Sequence, residues 1–417
     1  MHRNSMKIKR NAILLLTGMS ITIVVLVLGI RAEKEFIGRQ NGSGSQIKQE
    51  TESKKTQQEE SKFPKRAIGV KGLSFSRISD REIQLHWSDQ WNPYVQEYQI
   101  ERCPAGTSDW KIVGTVISNQ IQNGDVISWT DTWADTSRLQ YEYRVNVKVS
   151  DSEKYDGQDG ESILVCNLII CIDPGHYGGR NAVQTGTAYT EGDFTLRLAK
   201  KLAQKLQEEY GVSTILTRET ADISLGGFTN YELDSAHISL RGEFAKGTDL
   251  FLSLHTNANQ EGVNGYGTVE QPISINKPIL ILNKMACQDD KALGIANAVG
   301  KYLAQSSYQL GIASVEGFDE VKDETQIKNW TDEYNDQLHV KGTICQRMDL
   351  NEDYYGVLRG AASVGVPGMI IEHGFHTVPE MRQMAATGKL EESWTEVDAM
   401  GIAEGYGLMS KAKTEER

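Results

Sequence analysis

"CIDPGHYGGR", residues 171–180, follows the apolar runs Ile163-Leu164-Val165 and Leu168-Ile169-Ile170. Together they read as one buried strand over 163–172 that stops abruptly. An Asp, a Pro, three glycines and one His then occupy the place where such a strand hands over to a loop. Asp173-Pro174-Gly175 turns the chain. His176 is then either a surface residue or one ligand of a metal whose other ligands lie further along.

The next segments carry an alternating pattern. "EGDFTLRLAKKLAQKLQEEYG", residues 191–211, sets Phe194, Leu198, Leu202 and Leu206 on one helical face, with Gly211 as a stop signal. "VSTILTR", "TDLFLSLHTNAN" and "VGVPGMIIEHGF" read as further strands, and "KALGIANAVGKYLAQSS" as another helix. Strands that alternate with helices predict an α/β fold: a mixed, mostly parallel sheet flanked by helices. In such sheets functional groups gather beyond the carboxyl ends of the strands. His176, His255 and Glu372 all sit at such ends. Glu191 opens the helix after the Gly-rich loop, where by itself it is also a favourable first-turn acid.

Two histidines and a carboxylate left with an open fourth position suit a catalytic zinc. A further carboxylate would accept the proton of an attacking water and pass it to a leaving nitrogen, and Glu372 meets that need. The three ligands are far apart in sequence, unlike the local HExxH helix, so spacing by itself is a weak guide.

The motifs occur in a definite order: "IDPGHYGGRNAVQTG", "EGDFTLRLAKKLAQKL", "STILTRE", "ISLRGEFAKGTDLFLSLHTNAN", "YGVLR" and "VGVPGMIIEHGF". Together they resemble the catalytic domain of zinc-dependent N-acetylmuramoyl-L-alanine amidases with a DPGHGG opening, over about residues 163–410. The resemblance implies that His176, Glu191 and His255 bind one zinc ion and that Glu372 is the catalytic acid/base. Asn257 and Arg359 are candidate substrate contacts. The implied reaction is hydrolysis of the amide between the lactyl group of N-acetylmuramic acid and L-alanine of the peptidoglycan stem peptide. A zinc peptidase acting within the stem peptide and an inactive wall-binding scaffold are the rival readings.

The chain departs from that pattern in four places. Tyr177 interrupts the usual His-Gly-Gly. "GGFTNYELDSAHIS", residues 226–239, is longer than the corresponding family segment and holds His237, an extra ligand, a substrate contact or a solvated loop residue. His373 follows Glu372 where a small or apolar residue is usual, and alternation turns it to the opposite face, in a structural role. His376 reads the same way. His339 lies in the 284–345 stretch, where "EGFDEVKDETQIKNWTDEYNDQ", residues 316–337, is acidic and loop-like; the stretch could cover the site or read the glycan.

The 417 residues are too many for one core. Four cations precede the uncharged "NAILLLTGMSITIVVLVLGI", residues 11–30, long enough to cross a bilayer. The cations place the N-terminus inside and the rest outside, and the length favours an anchor over a cleaved signal peptide, which would instead give a secreted protein. Residues 33–65 are a polar linker. Residues 66–160 show short alternating runs, among them "REIQLHW", "EYQIERC", "WKIVGTV", "VISWTDT" and "YEYRVNVKV", which predict a β-sandwich. Their order resembles a fibronectin type III domain, a place for a protein partner. Residues 161–410 form the catalytic domain and 411–417 a charged tail. A net charge of −12 argues against nucleic acid. Five cysteines with no CxxC pair cannot complete a disulfide set, and Cys166 and Cys171 read as small core residues.

Overall fold

The computed structural model describes residues 64–412 apart from 90, 119–123, 134–136, 138, 185, 259–275 and 330–340. The segment read as a membrane anchor, nearly all of the linker, and His339 lie outside the described residues. Among the described residues no helix is long and apolar enough to cross a membrane.

Seven strands make the sandwich: β1 (Lys71–Arg77), β2 (Glu82–Ser88), β3 (Val95–Pro104), β4 (Lys111–Ile117), β5 (Val126–Thr132), β6 (Gln140–Val149) and β7 (Ile163–Cys166). One antiparallel sheet runs β1-β2-β5 and the other β4-β3-β6-β7. Alternation explains the core. Ile83, Leu85 and Trp87 are buried on β2, and they share one cluster with Tyr98, Ile100, Tyr143 and Val145 of the facing sheet. Trp133 is buried too, while Trp110 lies under the Arg144 guanidinium.

The apolar stretch 163–172 is not one strand. Ile163–Cys166 pairs with Gln140–Tyr143 in the sandwich, whereas β8 (Ile169–Pro174) opens the catalytic sheet. Asn167 breaks the run. Its backbone N–H donates to the Leu139 carbonyl as the last backbone bond to the sandwich, and the Ile169 N–H then turns to Asp249 of the catalytic domain. The sandwich therefore extends past the boundary expected at residue 160.

The catalytic sheet continues with β9 (Ser213–Leu216), β10 (Leu250–Asn257), β11 (Ile279–Leu282), β12 (Phe318–Asp319), β13 (Lys328–Asn329), β14 (Gly342–Gln346) and β15 (Gly368–Phe375). Its order is β9-β8-β10-β15-β11-β14-β12, with β13 also on β14. Every pairing is parallel except β11 with β15, so the sheet is mixed and mostly parallel as the sequence predicts. Part of the acidic stretch thus extends the sheet as β12 and β13 and is not all loop.

The helices include α1 (Glu191–Tyr210), α2 (Ser239–Glu243), α3 (Asp290–Gln309), α4 (Gly356–Ser363) and α5 (Lys389–Tyr406), with shorter ones at Lys284–Cys287 and Pro379–Ala386. Phe194, Leu198, Leu202 and Leu206 of α1 are fully buried, and Gly211 ends the helix at φ +66°. Helices cover both faces of the sheet. Arg241 of α2 bonds Asp173 on one face, and Asp398 of α5 bonds His373 on the other.

The sandwich is docked on the catalytic domain through polar groups. Arg77 donates to Asn167 Oδ1 at 2.8 Å and to Asp249 Oδ2 at 3.1 Å, and Gln140 bonds the Tyr210 and Met409 carbonyls. The Arg77 side chain is 8% exposed. Burial pushes the Asp249 carboxyl up, and Arg77 is one of the groups that offset this. Arg77→Ala should therefore lower stability by about 1–3 kcal/mol, read as a lower urea midpoint; an unchanged midpoint would show that the pair contributes nothing to docking.

Candidate metal centre and active site

The loop after β8 is held before any ligand is considered. Arg218, 4% exposed, donates to the carbonyls of Pro174, Gly175 and Gly192. These bonds tie the loop to the start of α1. Two glycines make the approach possible. A Cβ on Gly192 would lie 1.9 Å from the Tyr177 carbonyl oxygen, and one on Gly175 would lie 2.5 Å from His255 Cε1. Tyr177 therefore enters the site's construction through its backbone. His176 itself adopts φ +58°, a left-handed conformation that a non-glycine residue keeps only when its surroundings fix it.

Three side chains converge. His176, Glu191 and His255 each offer a ligand atom, and these atoms lie within 4.8 Å of one another. Glu191 is 2% exposed. Its Oε1 accepts from the Thr256 backbone N–H at 3.0 Å and faces His255 Nδ1 at 3.0 Å. Its Oε2 accepts from Asn181 Nδ2 at 2.8 Å and lies 3.4 Å from His176 Nε2. Burial opposes its charge, but His176 and the other donors prevail and hold the carboxyl well below the usual range.

The two histidines turn different nitrogens to the cluster. His176 presents Nε2, because Nδ1 faces both Asp234 oxygens, at 2.9 and 3.0 Å. His255 presents Nδ1, because Nε2 lies 3.1 Å from Ser253 Oγ, which donates to Asp173 Oδ2 at 2.6 Å. Burial by itself would lower the His176 pKa. Glu191 and Asp234 outweigh it and raise the value to about 10. Two imidazole nitrogens and one carboxylate oxygen, each already oriented from behind, form a donor set that fits a divalent metal of the zinc class.

Glu372 stands in register with His255 on the neighbouring parallel strand β15. Paired residues of parallel strands share a face, so both side chains rise on the same side of the sheet. Ile279 of β11 pairs with Glu372 from the other edge.

The remaining candidates fall elsewhere. A register shift follows His255, and Asn257 Oδ1 accepts from the Ala258 N–H at 2.7 Å, capping its own loop. Arg359 donates to the Asp353 and Tyr354 carbonyls. His237 stacks on Phe228 with ring centroids 3.6 Å apart. His373 is fully buried, with Nε2 at 2.8 Å from Asp398 Oδ2 and Nδ1 at 3.1 Å from the His255 carbonyl. That is the structural role expected of it. His376 is buried against Thr256 and Tyr189, and burial lowers its pKa. All five cysteines are buried thiols, with the Cys103 thiol pushed up to about 11 by burial. The groups that sequence reasoning missed are Asn181, Asp234 and Ser253. Each is a common polar residue that acquires a role only when the chain folds back onto a ligand.

The profile of the Amidase_3 family, N-acetylmuramoyl-L-alanine amidase, matches residues 170–404, more than half of the chain. No curated protein matches. Among solved structures, the chain is similar to N-acetylmuramoyl-L-alanine amidase AmiC2 of Nostoc punctiforme, at 21% identity over 56% of this chain and 94% of that one, with a TM-score of 0.34. It is also similar to the N-acetylmuramoyl-L-alanine amidase from Clostridium difficile 630, at 19% identity over 56% and 94%, TM-score 0.33. The catalytic domain of CwlV from Bacillus (Paenibacillus) polymyxa var. colistinus is similar at 17% identity over 57% and 97%, TM-score 0.35. On the family match, which spans the three converging residues and Glu372, the chain belongs to the N-acetylmuramoyl-L-alanine amidase family.

Proposed function

We propose that this amidase is a zinc enzyme, anchored in the cell membrane by residues 11–30 with its catalytic domain outside, that remodels peptidoglycan by cutting the muramyl–L-alanine amide. The observation that carries the reading is the convergence of His176, Glu191 and His255 with Glu372 in register beside them. His176 Nε2, a Glu191 oxygen and His255 Nδ1 would hold the metal. A zinc ion held there supplies Lewis-acid polarisation and acidifies water. Glu372 takes the proton of the attacking water and delivers it to the amide nitrogen as the C–N bond breaks. The products are a free lactyl carboxyl and a free L-alanine amino terminus. The three-plus-four antiparallel arrangement of the sandwich supports its fibronectin type III-like reading.

Mass spectrometry of digested muropeptides tests the bond. Cleavage within the stem peptide would instead mark a peptidase, and no cleavage a scaffold. Glu372→Gln should retain zinc and lose activity by at least about 100-fold; full activity would remove Glu372 from the mechanism. His176→Ala should lose the metal, as read by elemental analysis.

Filling of the site would also release the proton that His176, with its pKa raised to about 10, holds at neutral pH in the metal-free protein. A raised folded-state pKa means that this proton is bound at neutral pH and is lost only as the pH rises. The apparent zinc dissociation constant should therefore fall about tenfold per pH unit between roughly pH 7 and 9. A flat profile in chelator competition would show that the ring is already neutral.

A further inference from the structure

We propose that Asp234 is a positioning residue for His176, which makes the 226–239 insert a part of the metal centre. The inference rests on the metal-centre reading above and adds to it a residue outside the ligand set.

Asp234 meets His176 on the ring nitrogen turned away from Glu191 and His255. It is therefore no fourth ligand. An imidazole that donates Nδ1–H to a carboxylate must direct its Nε2 lone pair the other way, and here that direction is the cluster. The contact does two things for a residue at φ +58°: it fixes the tautomer and stops the ring from turning.

Asp234 is itself held in place. Its side chain is 4% exposed. Arg180 donates to Oδ2 at 3.2 Å, and the buried Arg241 guanidinium lies 3.6 Å from Oδ1. His176, helped by Arg241 and His255, keeps the carboxyl below its ordinary range against the effect of burial. The segment that carries it is anchored at both ends. Thr229 and Glu232 form a reciprocal capping box around the 3-10 turn Asn230–Asp234, and Leu233 is fully buried. Beyond the turn, the His237 N–H donates to the Glu232 carbonyl at 2.8 Å. An insert that only decorated the surface would need neither a buried acid nor a buried leucine side by side.

The test uses the full chain with zinc alone as the ligand. Zinc affinity is measured by chelator competition, and the visible absorption of the cobalt(II)-substituted protein reports the ligand field. Asp234→Asn keeps the shape and removes the charge, and Asp234→Ala removes both. The zinc dissociation constant should rise about 10–100-fold in Asp234→Ala and less in Asp234→Asn, with an altered cobalt spectrum. Affinity within twofold of wild type in both variants, with an unchanged spectrum, overturns the inference. Should either variant lower the melting temperature of the metal-free protein, affinity is measured where all three proteins are fully folded, and the same results decide. A wild-type chain that takes up no zinc overturns the metal-centre reading and this inference with it. Normal zinc uptake with an indifferent Asp234 overturns the inference alone.

Discussion

The buried pair of Asp173 and Arg241 is the interaction on which the site depends. Both side chains are essentially inaccessible, at 0% and 1% exposure. Two unpaired charges at such a position would each cost several kcal/mol, so the pair exists only because its geometry is saturated. Arg241 donates through Nε and Nη2 to Asp173 Oδ1 and through Nη2 to the Pro174 carbonyl, while Thr217 and Ser253 donate to the same carboxylate. The consequences reach both histidines. Ser253, once committed to Asp173, is left to accept from His255 Nε2, which sends Nδ1 to the cluster. Arg241 also lies beside Asp234, which sends Nε2 of His176 to the same place. One buried ion pair thus stands behind two ligands on different elements.

Docking of the sandwich follows a different rule. Beside the packing of Cys166 and Leu139 on the catalytic core, its contacts with the catalytic domain include hydrogen bonds between a few fixed groups: Arg77 to Asn167 and Asp249, Gln140 to Tyr210 and Met409, and the Cys166 N–H to the Gly211 carbonyl. Such bonds specify an orientation more than they supply affinity. Gly211 serves both units, since it ends α1 in a left-handed turn and a Cβ there would strike the Leu164 carbonyl at 2.4 Å. The strand that closes the sandwich therefore leads into the first catalytic strand through one short, constrained passage.

The sheet, the order of its elements and the three converging residues were legible in the sequence because each is a local signal. Helix periodicity placed α1, and strand ends that break into charge marked His255 and Glu372. The strand expected over 163–172 was misread because an apolar run carries no mark of which sheet it joins. Asn167 divides it through a bond to Leu139, a partner set by tertiary contact. Asn181, Ser253 and Asp234 were illegible for the same reason. Nothing in "DSAHIS" says that its first residue will meet a histidine 58 positions earlier. The bulge after His255, which ended the simple reading of Asn257, is likewise a property of the β10–β15 pairing and not of β10.

Glu372 and His373 show how alternation turns a departure from pattern into a brace. Adjacent strand residues point to opposite faces. His373 is driven into the helix layer, where it bonds Asp398 and stacks on Trp394 with ring centroids 5.2 Å apart. Its other nitrogen lies 3.1 Å from the His255 carbonyl and 3.0 Å from that of Ile371. A single ring thus ties β15 to β10 and to α5 directly behind the His176–Glu191–His255 cluster. With His373 fixed on that face, strand geometry leaves Glu372 only the other, beside His255. The placement of Glu372 is therefore set by the burial of its neighbour. This accounts for a polar residue being accommodated at full burial where a small apolar side chain would have packed more simply.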